Sequence, residues 1–215
     1  MIKNLLQNYI KDYKITLTEN QYEQFQKYFE LLAEWNEKMN LTAITDESGV
    51  ALKHFADSLS LLNFVDIPQN SSLADVGTGA GFPGVVLKIA RPDIKLTLID
   101  SLNKRLVFLG EVCAQLGIEA ELIHSRAEDG ARDEKLRESF DFAVSRAVAR
   151  MNVLSEYCLP YVKVGGAFCA MKGAQANEEF KESLNAINTL GGKLENKYFF
   201  ELPENGGERA IAVVR

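Results

Sequence analysis

From Ser72 onwards, apolar runs of strand length alternate with helix-patterned stretches. SLADVGT, KLTLID, AELIHSR, FDFAVSRA and GAFCAMK are separated by PGVVLKIAR, NKRLVFLGEVCAQLG, ARDEKLRES and MNVLSEYCLPYVK. A strand reached through a helical crossover lies parallel to its predecessor, so five such runs predict a parallel, doubly wound sheet. NKYFFEL and ERAIAVVR follow, joined by PENGG, a turn-rich link too short for a helix. These last two strands should run antiparallel. The expected fold class is α/β: a mainly parallel, seven-stranded, Rossmann-like sheet with an antiparallel C-terminal hairpin. That is the layout of a class I S-adenosylmethionine-dependent methyltransferase, although a layout never fixes chemistry.

The chain before this alternation reads as helical. MIKNLLQNYIKDYK interleaves Lys3, Asn4, Gln7, Asn8 and Lys11 with apolar residues, the pattern of an amphipathic helix and not of a signal peptide. In TENQYEQFQKYFELLAEWNEKMN, Thr18 and Gln21 have capping-box spacing, and Phe25, Tyr28, Phe29, Leu32 and Trp35 form a stripe expected in the core. A third helix includes VALKHFADSLSLLNF and ends before Pro68. All nine arginines, and fourteen of the fifteen glycines, lie after residue 72. That shift places a boundary near Asn70, dividing a helical segment (1–70) from an α/β domain (71–215) on which it is expected to pack.

Composition narrows the function classes. A length of 215 residues with 47% apolar content supports a sizeable core, and no apolar stretch is long enough to span a bilayer. No membrane partner and a cytoplasmic location are therefore expected. Cys113, Cys158 and Cys169 are odd in number and set among apolar residues, which predicts reduced, buried thiols and neither disulfides nor a metal site. A net charge of -6 argues against a uniformly basic nucleic-acid binder and leaves room only for a local basic rim.

LADVGTGAGFPG, residues 73–84, follows the first strand, and ligands of open α/β sheets sit beyond the carboxyl ends of strands. Gly77, Gly79 and Gly81 permit positive φ and bring bare backbone close to a ligand, while Pro83 suits the first turn of the next helix. A nucleoside-triphosphate loop fails, because Val85 and Val86 stand where Lys and Ser or Thr are needed. A nicotinamide dinucleotide remains open. Gly79, Gly81 and Gly84 satisfy GxGxxG, and Asp100 lies nineteen residues after Gly81, close to the usual ribose-binding spacing. S-adenosylmethionine accounts for more of the stretch, since DxGxGxG is present as Asp75, Gly77, Gly79 and Gly81. Asp75 is expected to face the donor's cationic methionine end, where it would repel a pyrophosphate. Asp100, with Ser101 beside it, serves the ribose in either scheme. At the exit of the third strand, Ala127 and Glu128 are placed to bracket an adenine.

These motifs together resemble the RsmG family, also called glucose-inhibited division protein B. The likeness covers WNEKMNLTAI, HFADSL, LADVGTGAGFPG, LIDSLNKRLVFL, SRAEDG, SRAVA and MKG, in that order along nearly the whole chain. It implies methylation of guanine N7 in small-subunit (16S) ribosomal RNA, as naked RNA or as the 30S particle. It also implies donor contacts from Gly77, Phe82, Ala127, Glu128 and Arg146, with Asp100 as ribose partner.

Guanine N7 carries a lone pair and no proton, so transfer to it needs no strong general base. Accordingly the sequence offers no GxSxG or HExxH, and its two histidines, His54 and His124, are far apart. Attention passes to residues that orient the acceptor. Arg146 and Arg150 follow the fourth strand and Lys172 the fifth, at the sheet edge expected to carry the donor, where their charge suits phosphate or guanine O6. Asn40, His54 and Asp57 are expected to form a lid over the same site. A nicotinamide oxidoreductase and a noncatalytic RNA- or ribosome-binding module remain the competing readings.

Overall fold

The computed structural model describes all 215 residues. Its frame is one seven-stranded sheet: β1 (Ser72–Val76), β2 (Lys95–Asp100), β3 (Ala120–His124), β4 (Phe140–Arg146), β5 (Val162–Lys172), β6 (Leu194–Glu201) and β7 (Glu208–Val214). The spatial order is β3-β2-β1-β4-β5-β7-β6. The first five strands run parallel, and β7 enters antiparallel between β5 and β6. Strand order reverses between β1 and β4, which puts the topological switch at the exit of β1.

Side chains alternate across the sheet with the two-residue period of a strand. Leu73, Leu96, Leu98, Phe142, Val144, Cys169, Met171, Ile211 and Val213 join one core cluster. Their neighbours Ala74, Val76, Ile99, Ala143, Phe168, Ala170, Ala212 and Val214 join the other. Both faces are apolar, so both are covered by helices. In the first cluster lie α1 (Ile2–Tyr9), α2 (Glu19–Met39), α6 (Gly84–Ala90) and α7 (Asn103–Leu116); in the second lie α9 (Met151–Cys158) and α10 (Ala176–Thr189). The first cluster runs without a break across Asn70, from Ile2 and Phe25 to Leu98 and Val144.

Helix α2 begins where Thr18 and Gln21 form their capping box, and Phe25, Tyr28 and Leu32 are buried. The expected third helix is present but broken. α3 (Glu47–Val50) passes into a π-helical turn, Ala51–Ala56, then α4 (Asp57–Leu59) and α5 (Leu61–Phe64). Such turns widen the helix by one residue and recur at functional sites.

Two local expectations need correction, and one helix carries no expectation at all. ARDEKLRES is not a helix: α8 (Ala127–Gly130) is a single turn and the following residues form turns, because only Ala131 and Leu136 of that stretch are buried apolar anchors. Residues 176–189, assigned no element from sequence, form α10, whose Ala176, Phe180, Ser183 and Ile187 are buried at helical spacing. Pro83 precedes the first turn of α6 as its N-cap. All three cysteines are free and buried. No helix is long and apolar enough to cross a membrane.

Candidate active site

The glycine loop leaves β1 by turning over the end of β2. Gly77 and Thr78 amides both donate to the Ile99 carbonyl, at 2.9 and 3.1 Å, and the Gly79 amide donates to Asp100 Oδ2 at 2.9 Å. Amides of Gly81 and Phe82 return to the Thr78 carbonyl. Gly77 (φ 72°), Gly79 (φ 61°) and Gly81 (φ 96°) are all left-handed, where a side chain is strained. A Cβ on Gly79 would meet nothing within 4 Å, whereas one on Gly77 would sit 2.6 Å from Val148. Gly79 is therefore the loop's open face. Gly81 points the other way: a Cβ there would run into the Tyr28 hydroxyl, Val85 and Leu109, and Gly81 does not line the cavity expected to hold the donor.

Asp75 also departs from expectation. It shares the parity of Leu73, faces the α6 side of the sheet and is fully buried. Its Oδ2 accepts hydrogen bonds from Thr78 Oγ1 and the Gly84 amide, both at 2.8 Å, while Oδ1 has no partner. Burial pushes its carboxyl up to about 6, against the pull of those two donors. Asp75 holds the loop from beneath and lies outside the cavity lining. That arrangement also occupies the α6 N-terminus. Pro83 has no amide hydrogen, the Gly84 amide is bound by Asp75, and the Val85 amide donates to the Gly81 carbonyl. The free amides that a dinucleotide pyrophosphate requires at this helix start are already committed.

Above the loop lies a cavity of about 530 Å³, lined by Gly77 to Ala80, Phe82, Asp100, Ser101, Ala127, Glu128 and Arg146, among others. Its size is that of a typical small-molecule site. Asp100 is 2% exposed, with Oδ1 held by the Leu102 amide and Oδ2 by Gly79 and, at 3.3 Å, Arg105 Nη1. Arg105, absent from the expected set, lies in the first turn of α7 and reaches back to the carboxylate that its own strand–helix turn presents. The Cβ-free wall at Gly79, a fixed carboxylate at the neighbouring strand end and the Ala127–Glu128 turn fit an adenosine-bearing donor such as S-adenosylmethionine. No cluster of three or more His, Cys, Asp or Glu side chains is arranged to hold a metal.

A second cavity, about 590 Å³, adjoins the first and shares His54, Arg146, Ala147 and Val148 with it. Arg146 stands on the seam. Its Nη1 donates to Asp57 Oδ2 at 3.0 Å and to the Lys53 carbonyl, and its guanidinium lies 5.1 Å from the Phe82 ring centroid. Asp57 Oδ1 accepts from Arg209 Nε at 3.2 Å, so one buried carboxylate clamps two arginines. His54 stacks on Phe82 at 4.5 Å, and its Nε2 meets Thr42 Oγ1 at 2.8 Å. Burial and the adjacent Arg146 charge lower its pKa to about 4, which keeps the imidazole neutral. Lys172 is buried against Glu179 and the Ala149 carbonyl, whereas Arg150 pairs with Glu182 in solvent. Both line the second cavity.

Asn40 lines neither cavity. It terminates α2 in a left-handed conformation, φ 49°, and its successors Leu41 and Thr42 reach the first cavity instead. Arg209 was not foreseen, although the hairpin held the signal. The first residues of an antiparallel strand lie at the carboxyl edge of its parallel neighbours, and pairing of Lys172 with Ala210 puts Arg209 there.

The family model for GidB, described as rRNA small subunit methyltransferase G, matches residues 21–206. The chain belongs to the GidB family. Curated relatives of this GidB chain include proteins called "Ribosomal RNA small subunit methyltransferase G". That of Leuconostoc citreum is 53% identical over 208 residues, covering 95% of this chain and 87% of the relative. That of Staphylococcus epidermidis is 51% identical over 201 residues, covering 93% and 84%. Among solved structures, a SAM-dependent methyltransferase from Aquifex aeolicus superposes with a TM-score of 0.56 at 16% identity, over 74% of this chain and 89% of that one. Methanococcus jannaschii fibrillarin, a pre-rRNA processing protein, gives 0.54 at 18% identity, over 70% and 69%. These two likenesses establish the class I methyltransferase fold of the GidB chain.

Proposed function

We propose that this chain transfers a methyl group from S-adenosylmethionine to N7 of a guanine in small-subunit ribosomal RNA, acting in the cytoplasm. The observation that carries the reading is the pair of cavities meeting at Arg146, one backed by the glycine loop and the other rimmed by arginines. When bound, S-adenosylmethionine supplies a methyl group activated by a sulfonium. The chain's residues hold and orient. Gly79 admits the donor against bare backbone, Asp100 accepts from ribose hydroxyls with Ser101 beside it, and Ala127 and Glu128 face the adenine. Phe82 and Gly77 close the wall towards the seam.

On the acceptor side Arg146 orients the base, while Arg150 and Arg209 supply charge for RNA phosphate. Lys172 acts through Glu179, whose carboxylate also accepts from the Met151 amide and so anchors the start of α9. Because N7 has no proton to lose, a neutral His54 is compatible with the reaction: it is a stacked wall, not a base. Holding two reactants in line is worth roughly 7–11 kcal/mol in favourable systems. The basic rim is local on a chain of net charge -6, so binding should weaken steeply with salt.

The test is methyl incorporation from labelled donor into naked small-subunit RNA, assembled 30S particles and free guanosine, followed by mapping of 7-methylguanosine. Strong labelling of RNA or particles at one guanine is expected. Equal labelling of free guanosine, or RNA binding with no incorporation, would overturn the assignment.

A further inference from the structure

Helix α2 does more than cover the sheet. Three of its polar side chains reach backbone carbonyls of the domain beneath it. Gln21 Nε2 donates to the Ile89 and Ala90 carbonyls at the end of α6, Gln24 Nε2 to the Leu116 carbonyl at the end of α7, and the Tyr28 hydroxyl to the Ala80 carbonyl at 2.5 Å. The first two satisfy helix C-termini. The third is different, because Ala80 lies inside the glycine loop, between Gly79, open to the donor cavity, and Gly81, which lies against the Tyr28 hydroxyl.

Tyr28 is completely buried, and its ring stacks on Phe55 at 5.4 Å and on Phe82 of the loop at 5.5 Å. Burial raises its pKa well above the ordinary phenol value, so it remains a donor. A loop with three left-handed glycines has many backbone states open to it, and each buried tie removes some of them. Rotation of the Ala80–Gly81 peptide would also withdraw the Gly81 amide from the Thr78 carbonyl. We propose that Tyr28 is a positioning residue for the methyl donor: from the helical segment, its hydroxyl fixes the Ala80 peptide and thereby the shape of the donor-facing wall.

This inference rests on the donor-site assignment above, and one set of titrations separates the two. Tyr28→Phe keeps both ring stacks and removes only the hydroxyl, leaving the Ala80 carbonyl buried and unpaired. The expected result is a donor Kd raised about tenfold in calorimetry, about 1.4 kcal/mol, with donor KM rising in step and RNA KM within about twofold of wild type. Two controls share the core without touching the loop. Tyr13→Phe removes another buried hydroxyl, and Phe25→Leu loosens the packing on Phe55; each should leave donor Kd unchanged even where melting temperature falls. A folded Tyr28→Phe protein with wild-type donor Kd overturns the inference while the donor site stands. A wild-type protein that binds no S-adenosylmethionine overturns both.

Discussion

The two cavities share Arg146 and differ in what they are made of. One wall of the donor cavity is backbone, the stretch from Gly77 to Ala80, with two glycines in left-handed turns, amides spent on Ile99 and Asp100, and Asp75 and Tyr28 holding the loop from below. The second cavity is walled by long charged side chains drawn from the π-helical turn, β4, β5, β7 and α10, held by Asp57 and Glu179. A backbone wall is shaped before its ligand arrives and admits one shape. A wall of ion pairs can exchange one partner for a phosphate or a base edge at modest cost, which suits an acceptor embedded in a large RNA.

The contrast breaks most sharply at Gly77. A valine there adds a side chain at φ 72° and drives a Cβ to 2.6 Å from Val148, so Gly77→Val should weaken donor binding by about a thousandfold, ~4 kcal/mol. Calorimetry with S-adenosylmethionine checks this, and near-normal affinity would remove the loop from the donor site.

On the other side, Asp57→Ala leaves Arg146 and Arg209 without their shared partner. Removing one member of a buried ion pair costs about 3–5 kcal/mol. Urea unfolding should register a loss of that order. Donor Kd should move far less, since Asp57 does not line the donor cavity.

Titration distinguishes the buried support beneath the loop from the wall that both cavities share, by sign. Asp75, raised from 3.8 to about 6, favours folding in its neutral form. Its contribution is complete below about pH 4 and is lost as pH rises through about 6. Asp75→Asn, always neutral, should therefore gain about 2–3 kcal/mol on wild type between pH ~4 and ~7. His54, lowered from 6.5 to about 4, behaves oppositely: its contribution is present above about 6.5 and is lost as pH falls towards 4. Replacing it by glutamine should flatten the acid side of the stability curve.

The smallest effect belongs to Arg150→Ala. Its pair with Glu182 is about two-thirds exposed on both sides, so stability should change by less than about 1 kcal/mol. Donor Kd should be unchanged while RNA KM rises a few-fold and the salt slope shallows. An unchanged RNA KM would remove Arg150 from the acceptor surface.

Legibility did not follow that divide, since Arg146, Arg150, Lys172, His54 and Asp57, all named from sequence, line the second cavity. Gly77, Gly79, Asp100, Ser101, Ala127 and Glu128 could be placed at one cavity from sequence, because strand exits converge wherever parallel strands do. Asp75 and Gly81 belonged to the same motif yet point beneath the loop. Counting strand parity from Leu73 would have turned Asp75 away, but spacing within DxGxGxG does not report which side of a turn a residue faces. Asn40 sat in a distinctive motif for a local reason, the end of α2. Tyr28 was legible as core, but its hydroxyl bond to Ala80, across 52 positions of sequence, was not.

The chain's alternating runs and glycine spacing were enough to determine the sheet, the parallel direction of its first five strands, the closing hairpin and the sheet edge that carries the glycine loop. These are consequences of hydrophobic period and backbone freedom, which act over a few residues. Only the folded molecule decided which carboxylate meets which arginine, and that an aromatic helix supports the donor loop, because those contacts join residues far apart in sequence through side-chain packing.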